Sequence, residues 1–315
     1  MARKKSNRRH FEAPHPQGGH KHHINALANL GEGHIVSMGS DDTVCLWRVE
    51  DRRCLKSLPT PWLECITAVD GKVIAGAESG SIHEFDFEVD AERTLCARVD
   101  EEVVNAIVAP SPAQSFTILH CDDGWYEGRG VVHRWRLPNC RPERIDWTEG
   151  TTLCLALDEA PVNEKRHVYV GSHLGEVGIL NAESGQHIDT IQVFDQAVVA
   201  LTAFGADSSG TCQFAAASWD GRVGIFSLDG ECQAQLDLRD RVELPNGTVA
   251  GVAKLSSRRL IVWRHRRVWL WDLDEERILD SLEPDSLIWA LVCPDETTVV
   301  FGDDNGRVVF IDVAG

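Results

Sequence analysis

The chain has 315 residues, 43% of them hydrophobic and 25% charged. That balance excludes collagen-like, disordered and membrane-embedded chains, and the length leaves room for one large domain or two modest ones. Lys and Arg number 31 against 49 Asp and Glu, a net charge of −18, but residues 1–23 carry +5 and the remainder −23. The body should therefore repel nucleic acid and anionic lipid, and only the start of the chain could attract them.

Residues 1–18 form a basic, histidine-containing segment with Arg3, Lys4, Lys5, Arg8 and Arg9 ahead of Phe11-Glu12-Ala13-Pro14-His15-Pro16. It lacks the apolar core of a signal segment, and no later run approaches the roughly 18 apolar residues of a membrane span, so cytoplasmic residence is expected. Clustered imidazoles at His10, His15, His20, His22 and His23 can chelate a metal adventitiously, but they lack acidic partners and no metal site is assigned to them. Of ten cysteines, the closest two, Cys45 and Cys54, are nine residues apart. No CxxC pair exists, and the cysteines read as buried, reduced thiols.

From residue 19 to 315 the chain repeats itself. Each unit opens with a short apolar segment, in order Ile24–Leu27, Leu63–Ile66, Val104–Ile107, Thr152–Leu155, Val198–Leu201, Val249–Val252 and Ile288–Leu291, whose third residue is always Ala, Cys or Gly. Each later reaches an aromatic or apolar anchor: Trp47, Phe85, Trp135, Leu180, Phe226, Trp271 and Ile311. Three residues before every anchor stands Val or Ile, and five before it five of the seven units place Gly, as a tight turn at positive φ requires. Small residues suit strands that converge on an axis, and β-branched residues suit buried strands. Units of this length read as four-stranded antiparallel sheets, and seven arranged radially make an all-β, seven-bladed β-propeller over 19–315.

The first unit, Gly19-His20 through Ile24-Asn25-Ala26-Leu27 to Gly39-Ser40-Asp41-Asp42-Thr43-Val44-Cys45-Leu46-Trp47, resembles a WD40 repeat, and the other six are degenerate versions of it. The resemblance implies a structural network of His20, Asp41 and Trp47 with Ser37 or Ser40, and gives Asp220 the equivalent place in the fifth unit, where Phe226 replaces Trp. As in related propellers, the last unit is expected to take its outer strand from the N-terminal segment, around residues 9–13, with Phe11 packed inward.

Catalytic patterns are missing: the sequence holds no P-loop, HExxH, GxSxG or dinucleotide fingerprint. Gly171-Ser172-His173 falls where neighbouring units carry their strand turns, so the repeat accounts for it. No enzyme activity, cofactor or small-molecule substrate is expected. The resemblance implies a scaffold or adaptor subunit of a hetero-complex that grips a peptide or loop of a partner protein on the top face. Trp62 and Trp219 fall in top-face segments, as do Trp125 and Tyr126, which have no reason in the repeat to be aromatic, and Arg264, Arg266 and Arg267 make a local positive turn; large aromatics and Arg dominate binding energy at interfaces. The alternative is a nucleic-acid-associated subunit using the basic segment and the Arg264–Arg267 turn. A channel enzyme would need convergent carboxylates or a metal cluster, and the second residues of the apolar segments, Asn25, Glu64, Asn105 and Trp289, look too mixed to converge.

Overall fold

A computed structural model of the chain describes residues 10–96, 104, 106–109, 117–121, 130–136, 141–148, 150–158, 166–206, 212–239 and 251–314. After β1 (His15–Gly18), the strands fall into groups of four. Blade 1 is β2 (Ile24–Gly31), β3 (His34–Gly39), β4 (Thr43–Arg48) and β5 (Arg53–Pro59); blade 2 is β6 (Leu63–Val69), β7 (Lys72–Ala77), β8 (Ile82–Asp86) and β9 (Ala91–Cys96). Blade 3 is β10 (Ala106–Val108), β11 (Thr117–Cys121), β12 (Gly130–Arg136) and β13 (Arg141–Thr148); blade 4 is β14 (Thr152–Leu157), β15 (His167–Ser172), β16 (Glu176–Asn181) and β17 (His187–Gln192). Blade 5 is β18 (Val198–Ala206), β19 (Cys212–Ser218), β20 (Arg222–Ser227) and β21 (Cys232–Asp237); blade 6 is β22 (Gly251–Ser256), β23 (Arg259–Arg264), β24 (Arg267–Asp272) and β25 (Arg277–Leu282). The chain finishes with β26 (Ile288–Asp295), β27 (Thr298–Asp303) and β28 (Arg307–Asp312).

The expectation of a seven-bladed propeller, its last blade closed by the N-terminal segment, is corrected by this topology, in which the self-contained blades number six. Six blades, β2 through β25, are each complete in four consecutive antiparallel strands, whereas the remaining sheet has the order β1-β28-β27-β26 and is a composite of the two ends of the chain. The innermost strands touch in the ring order β2, β6, β10, β14, β18, β22, β26 and back to β2, which is the radial arrangement of a β-propeller.

The closing strand also falls later than expected, at His15–Gly18 and not at 9–13. It pairs with β28 in the register His15↔Phe310 to Gly18↔Arg307. Pro16 is tolerated there because an edge strand has one side without a ladder to donate to. Phe11 does pack inward: it bridges Val313 and joins a buried cluster with Leu255, Ile261 and Ile311. Asp280 of β25 secures this segment, its Oδ2 accepting the backbone N–H groups of His10 at 2.6 Å and Phe11 at 2.9 Å.

The repeated apolar positions build the core. Val44, Ile82, Val132, Val177, Val223, Val268 and Val308 are all fully buried, and Trp47, Phe85, Leu180, Trp271 and Ile311 nearly so. Each such side chain contributes about 1.5–3 kcal/mol through removal from water. Blades meet by insertion of a residue at or just ahead of the start of one inner strand into the second strand of the blade before it. A Cβ at Gly76 of β7 would lie 2.3 Å from Cγ1 of Val104, so only glycine admits that valine. Positive φ occurs where the repeat places its turn residue, at Asp42, Gly80, Gly175, Gly221 and Gly306.

Inner strands share a further irregularity. The register between the first and second strands slips between Ile24 and Ala26, Leu63 and Cys65, Thr152 and Cys154, Val198 and Ala200, and Ile288 and Ala290. In each case the residue between them has no partner across the ladder, as in a β-bulge, which re-aims side chains at sheet ends.

Candidate functional site

The turns between second and third strands lie on one face with the starts of the inner strands. A turn N–H donates to the carbonyl of the residue just ahead of the inner strand: Ser40 to His23 at 2.9 Å, Trp219 to Ala197 at 2.8 Å, His173 to Thr151 at 2.9 Å and Asp304 to Leu287 at 3.1 Å. Glu78 points its N–H toward the carbonyl of Trp62 at 3.4 Å in the same way. Among the described residues, four large apolar side chains stand exposed on this face, Trp62, Leu174, Trp219 and Trp289.

Two of them belong to one connected patch on the composite sheet, blade 1 and blade 2. The ring of Trp289, 54% exposed, lies 5.1 Å from that of His23 at an interplanar angle of 30°. Nε2 of His23 and Oγ of Ser40 are 2.6 Å apart, Ser40 donates to Oδ1 of Asn25 at 2.8 Å, and Nδ2 of Asn25 reaches the carbonyl of Leu63 at 3.4 Å. The next residue, Glu64, accepts the indole N–H of Trp62 at 3.0 Å, and Trp62 is 58% exposed. The bulge residues Asn25, Glu64 and Trp289 therefore do converge, against the sequence expectation, because the bulge sets each outside its ladder at the same height around the axis. Asn105 lies outside the described residues.

Glu64 is electrostatically unusual. Burial raises its carboxyl pKa and the Glu78 charge adds to the rise, against the Trp62 hydrogen bond and His23. Three other acids on this face are engaged within their own blades: Asp41 lies 2.9 Å from His20, Asp220 pairs with Arg222 at 2.8 Å and Asp303 with Arg307 at 2.6 Å. Among the described residues, Glu64 and Glu78 have no cation partner.

The remaining sequence candidates separate. Trp219, 53% exposed, sits on blade 5, away from the patch in ring order, and Trp125 and Tyr126 lie outside the described residues. The positive turn is corrected in its make-up. Arg264 is buried, with its pKa lowered by that burial, and Arg267 pairs with Glu283 at 2.9 Å, leaving Arg266 as the exposed charge. This turn borders the composite sheet, since Ile288 donates its N–H to the His265 carbonyl at 2.7 Å.

Beneath the face, blade 1 contains a buried polar network. Ser37 Oγ accepts the indole N–H of Trp47 at 2.7 Å and lies 2.7 Å from Nε2 of His20. Nδ1 of His20 lies 2.9 Å from Asp41, which also accepts Thr43 Oγ at 2.7 Å and the Lys21 N–H at 2.8 Å. Burial pushes the Asp41 carboxyl up, but hydrogen bonds from Thr43, His20 and Lys21 hold it down at about 2. For His20 burial opposes protonation and is outweighed by Cys45 and Asp41, so its pKa is raised. Gly19 belongs to this arrangement, because a Cβ there would lie 2.3 Å from the Trp47 ring. Ser40, the other sequence candidate, serves the patch instead. Asp220 in blade 5 engages Arg222 and, among the described residues, no histidine, and Arg222 lies over the Phe194 ring at 5.5 Å from its centroid.

A second buried group, Asp158, His167 and Cys212, brings potential metal ligands within 4.8 Å of one another. Its carboxylate is already engaged: Oδ2 accepts both the backbone N–H and Nδ1–H of His167 at 2.9 Å, and Oδ1 accepts Tyr169 Oη at 2.9 Å. These bonds fasten the lower end of blade 4.

No protein-family profile matches the chain, and no curated protein matches it. The chain is similar to the solved structure of U3-55K, with 15% identity over 95% of this chain and 98% of that chain and a TM-score of 0.73. At that identity the likeness shows the fold alone, and the fold is a β-propeller.

Proposed function

We propose that this chain is a WD40-type propeller that works without catalysis, holding a peptide or loop of a partner protein in a cytoplasmic hetero-complex. The docking surface is the patch running from Trp289 through His23, Ser40 and Asn25 to Glu64 and Trp62. One observation carries this reading: two tryptophans, each more than half exposed, flank blade 1 on the same face and are linked by a ring contact to His23, hydrogen bonds through Ser40 and Asn25 to the Leu63 carbonyl, and the bond of Glu64 to the second indole. Exposed indoles lose area to solvent only when covered, and an aromatic pair within a fixed polar frame offers rigid anchoring at low entropic cost. The His20–Ser37–Trp47–Asp41 network favours the WD40 assignment, and free thiols, with Cys45, Cys65 and Cys212 buried, fit a reducing compartment.

The test is site-directed photo-crosslinking with the full chain carrying the probe at position 62, 289 or 89, where Val89 is exposed in the turn between β8 and β9. A partner that co-purifies should crosslink from 62 and 289 and not from 89, and its recovery should fall when Trp62 and Trp289 are replaced by Ala. Crosslinking from 89 alone, or recovery unchanged by the double replacement, would overturn the reading.

A further inference from the structure

The docking reading leaves open what chemistry the patch selects, and its charges supply an answer. Glu64 is half-buried, accepts one hydrogen bond, and keeps further acceptor capacity that no side chain among the described residues uses. Glu78 lies next to it, its N–H directed at the Trp62 carbonyl. Asp220 and Asp303, in other sheets on this face, are each neutralised by an arginine from within, and Asp41 is taken up by His20, Thr43 and the Lys21 N–H. A partly desolvated carboxylate with a like-charged neighbour is costly to leave unpaired, and a cation arriving from outside removes that cost.

The aromatic groups favour the same kind of visitor. The indole of Trp62 is fixed by its bond to Glu64 and presents an open face beside the carboxylate. A cation over an indole is attracted by the negative face of the ring. Guanidinium gains more than ammonium in such a place, because it stacks on the ring and forks onto carboxylate oxygens simultaneously. The opposite end of the patch carries the reverse sign, since the exposed Arg266 belongs to the turn beside Ile288. A bound cation is therefore drawn to the blade 2 end.

Resting on the docking reading, we infer that the patch recognises a basic side chain of its partner, arginine in preference to lysine, seated between Trp62 and the carboxylates of Glu64 and Glu78. Charge complementarity at larger scale agrees, for residues 24–315 carry −23 and steer basic segments toward the disc.

The experiment is selection from a displayed library of random 12-residue peptides on the immobilised full chain, with every clone re-tested on W62A/W289A, E64Q and E64K. Clones that lose binding to W62A/W289A should be enriched in Arg at one position, and E64Q should weaken them by about tenfold, the equivalent of about 1.4 kcal/mol. Selection on E64K should replace that Arg with Asp or Glu. Clones dependent on the tryptophans without basic enrichment would overturn the inference and leave the docking reading standing. Basic enrichment that survives E64Q would overturn the inference as well. If binding clones all survive W62A/W289A, both fall. Far-UV circular dichroism of each variant confirms that these surface changes leave the propeller folded.

Discussion

His20 and Trp47 are held together by a single hydroxyl, Ser37 Oγ, which stands 2.7 Å from Nε2 of the imidazole and 2.7 Å from Nε1 of the indole. The bond ties the segment leading into blade 1 to its third strand, across the two strands that separate them in the chain. All three side chains are buried, so removing the hydroxyl leaves polar atoms that water cannot reach. Ser37→Ala should lower stability by about 1–3 kcal/mol. Thermal unfolding of the variant checks this, and a midpoint equal to wild type would show that the network adds nothing.

Acid should attack the same network through Asp41. Its folded-state pKa is about 2 against an ordinary 3.8, so the group contributes stability above its unfolded pKa and loses it as pH falls through the folded value. The contribution is about 2 kcal/mol at neutral pH. Urea midpoints measured from pH 5 down to pH 2 should fall more steeply for wild type than for Asp41→Asn, with the difference confined to that window. Parallel curves would refute the assignment.

The contact between blades 2 and 3 depends on the bare backbone of Gly76. Since a Cβ would stand 2.3 Å from Cγ1 and 2.6 Å from Cβ of Val104, Gly76→Ala must push the blades apart, at a cost of about 1–3 kcal/mol. Val104→Ala relieves part of that clash while leaving a smaller cavity than it does alone. The double variant should be more stable than the sum of the two single changes implies, with a coupling of about 0.5–3 kcal/mol in a denaturation cycle. Strict additivity would place the two residues out of contact.

Truncation separates the two parts of the N-terminal segment. Removing residues 1–9 leaves β1 and the Phe11 bridge intact and should preserve both the unfolding midpoint and the monodisperse profile in sedimentation. Removing residues 1–18 bares the outer edge of β28, whose ladder partners are His15 to Gly18. Bare edges recruit other strands, so that variant should self-associate with rising concentration. A well-behaved monomer would mean that β1 is dispensable.

Much of the architecture was legible in the sequence because the repeat imposes the same physical demand at the same place each time. A β-branched residue three before the anchor is buried in every sheet, and its recurrence from Val44 to Val308 is visible without coordinates. The closing strand was harder to place. Phe11 is the apolar residue of its neighbourhood and drew the expectation to 9–13, whereas His15-Pro16-Gln17-Gly18 is an outer strand, mostly exposed, that pairs through backbone and shows no alternation. The binding patch was hidden for a different reason. Asn25, Glu64 and Trp289 share a bulge, yet a site facing one ligand needs unlike side chains, so the positions that converge in space look unrelated along the chain. Arg264 misled in the opposite direction: four basic or imidazole residues in a row suggested an open cluster, but the two-residue turn His265–Arg266 folds Arg264 down into the sheet.

The pairing of β1 with β28 also bears on how the molecule comes into being. During synthesis His15 to Gly18 leave the ribosome long before Arg307 to Asp312 exist, so six blades can form in turn while the strand that fastens the disc waits unpaired. The final association joins segments nearly the whole chain apart, a slow event in a topology otherwise built from neighbours. Until then the nascent protein carries two open edges, and the interval before they meet is when it depends most on dilution or on a chaperone.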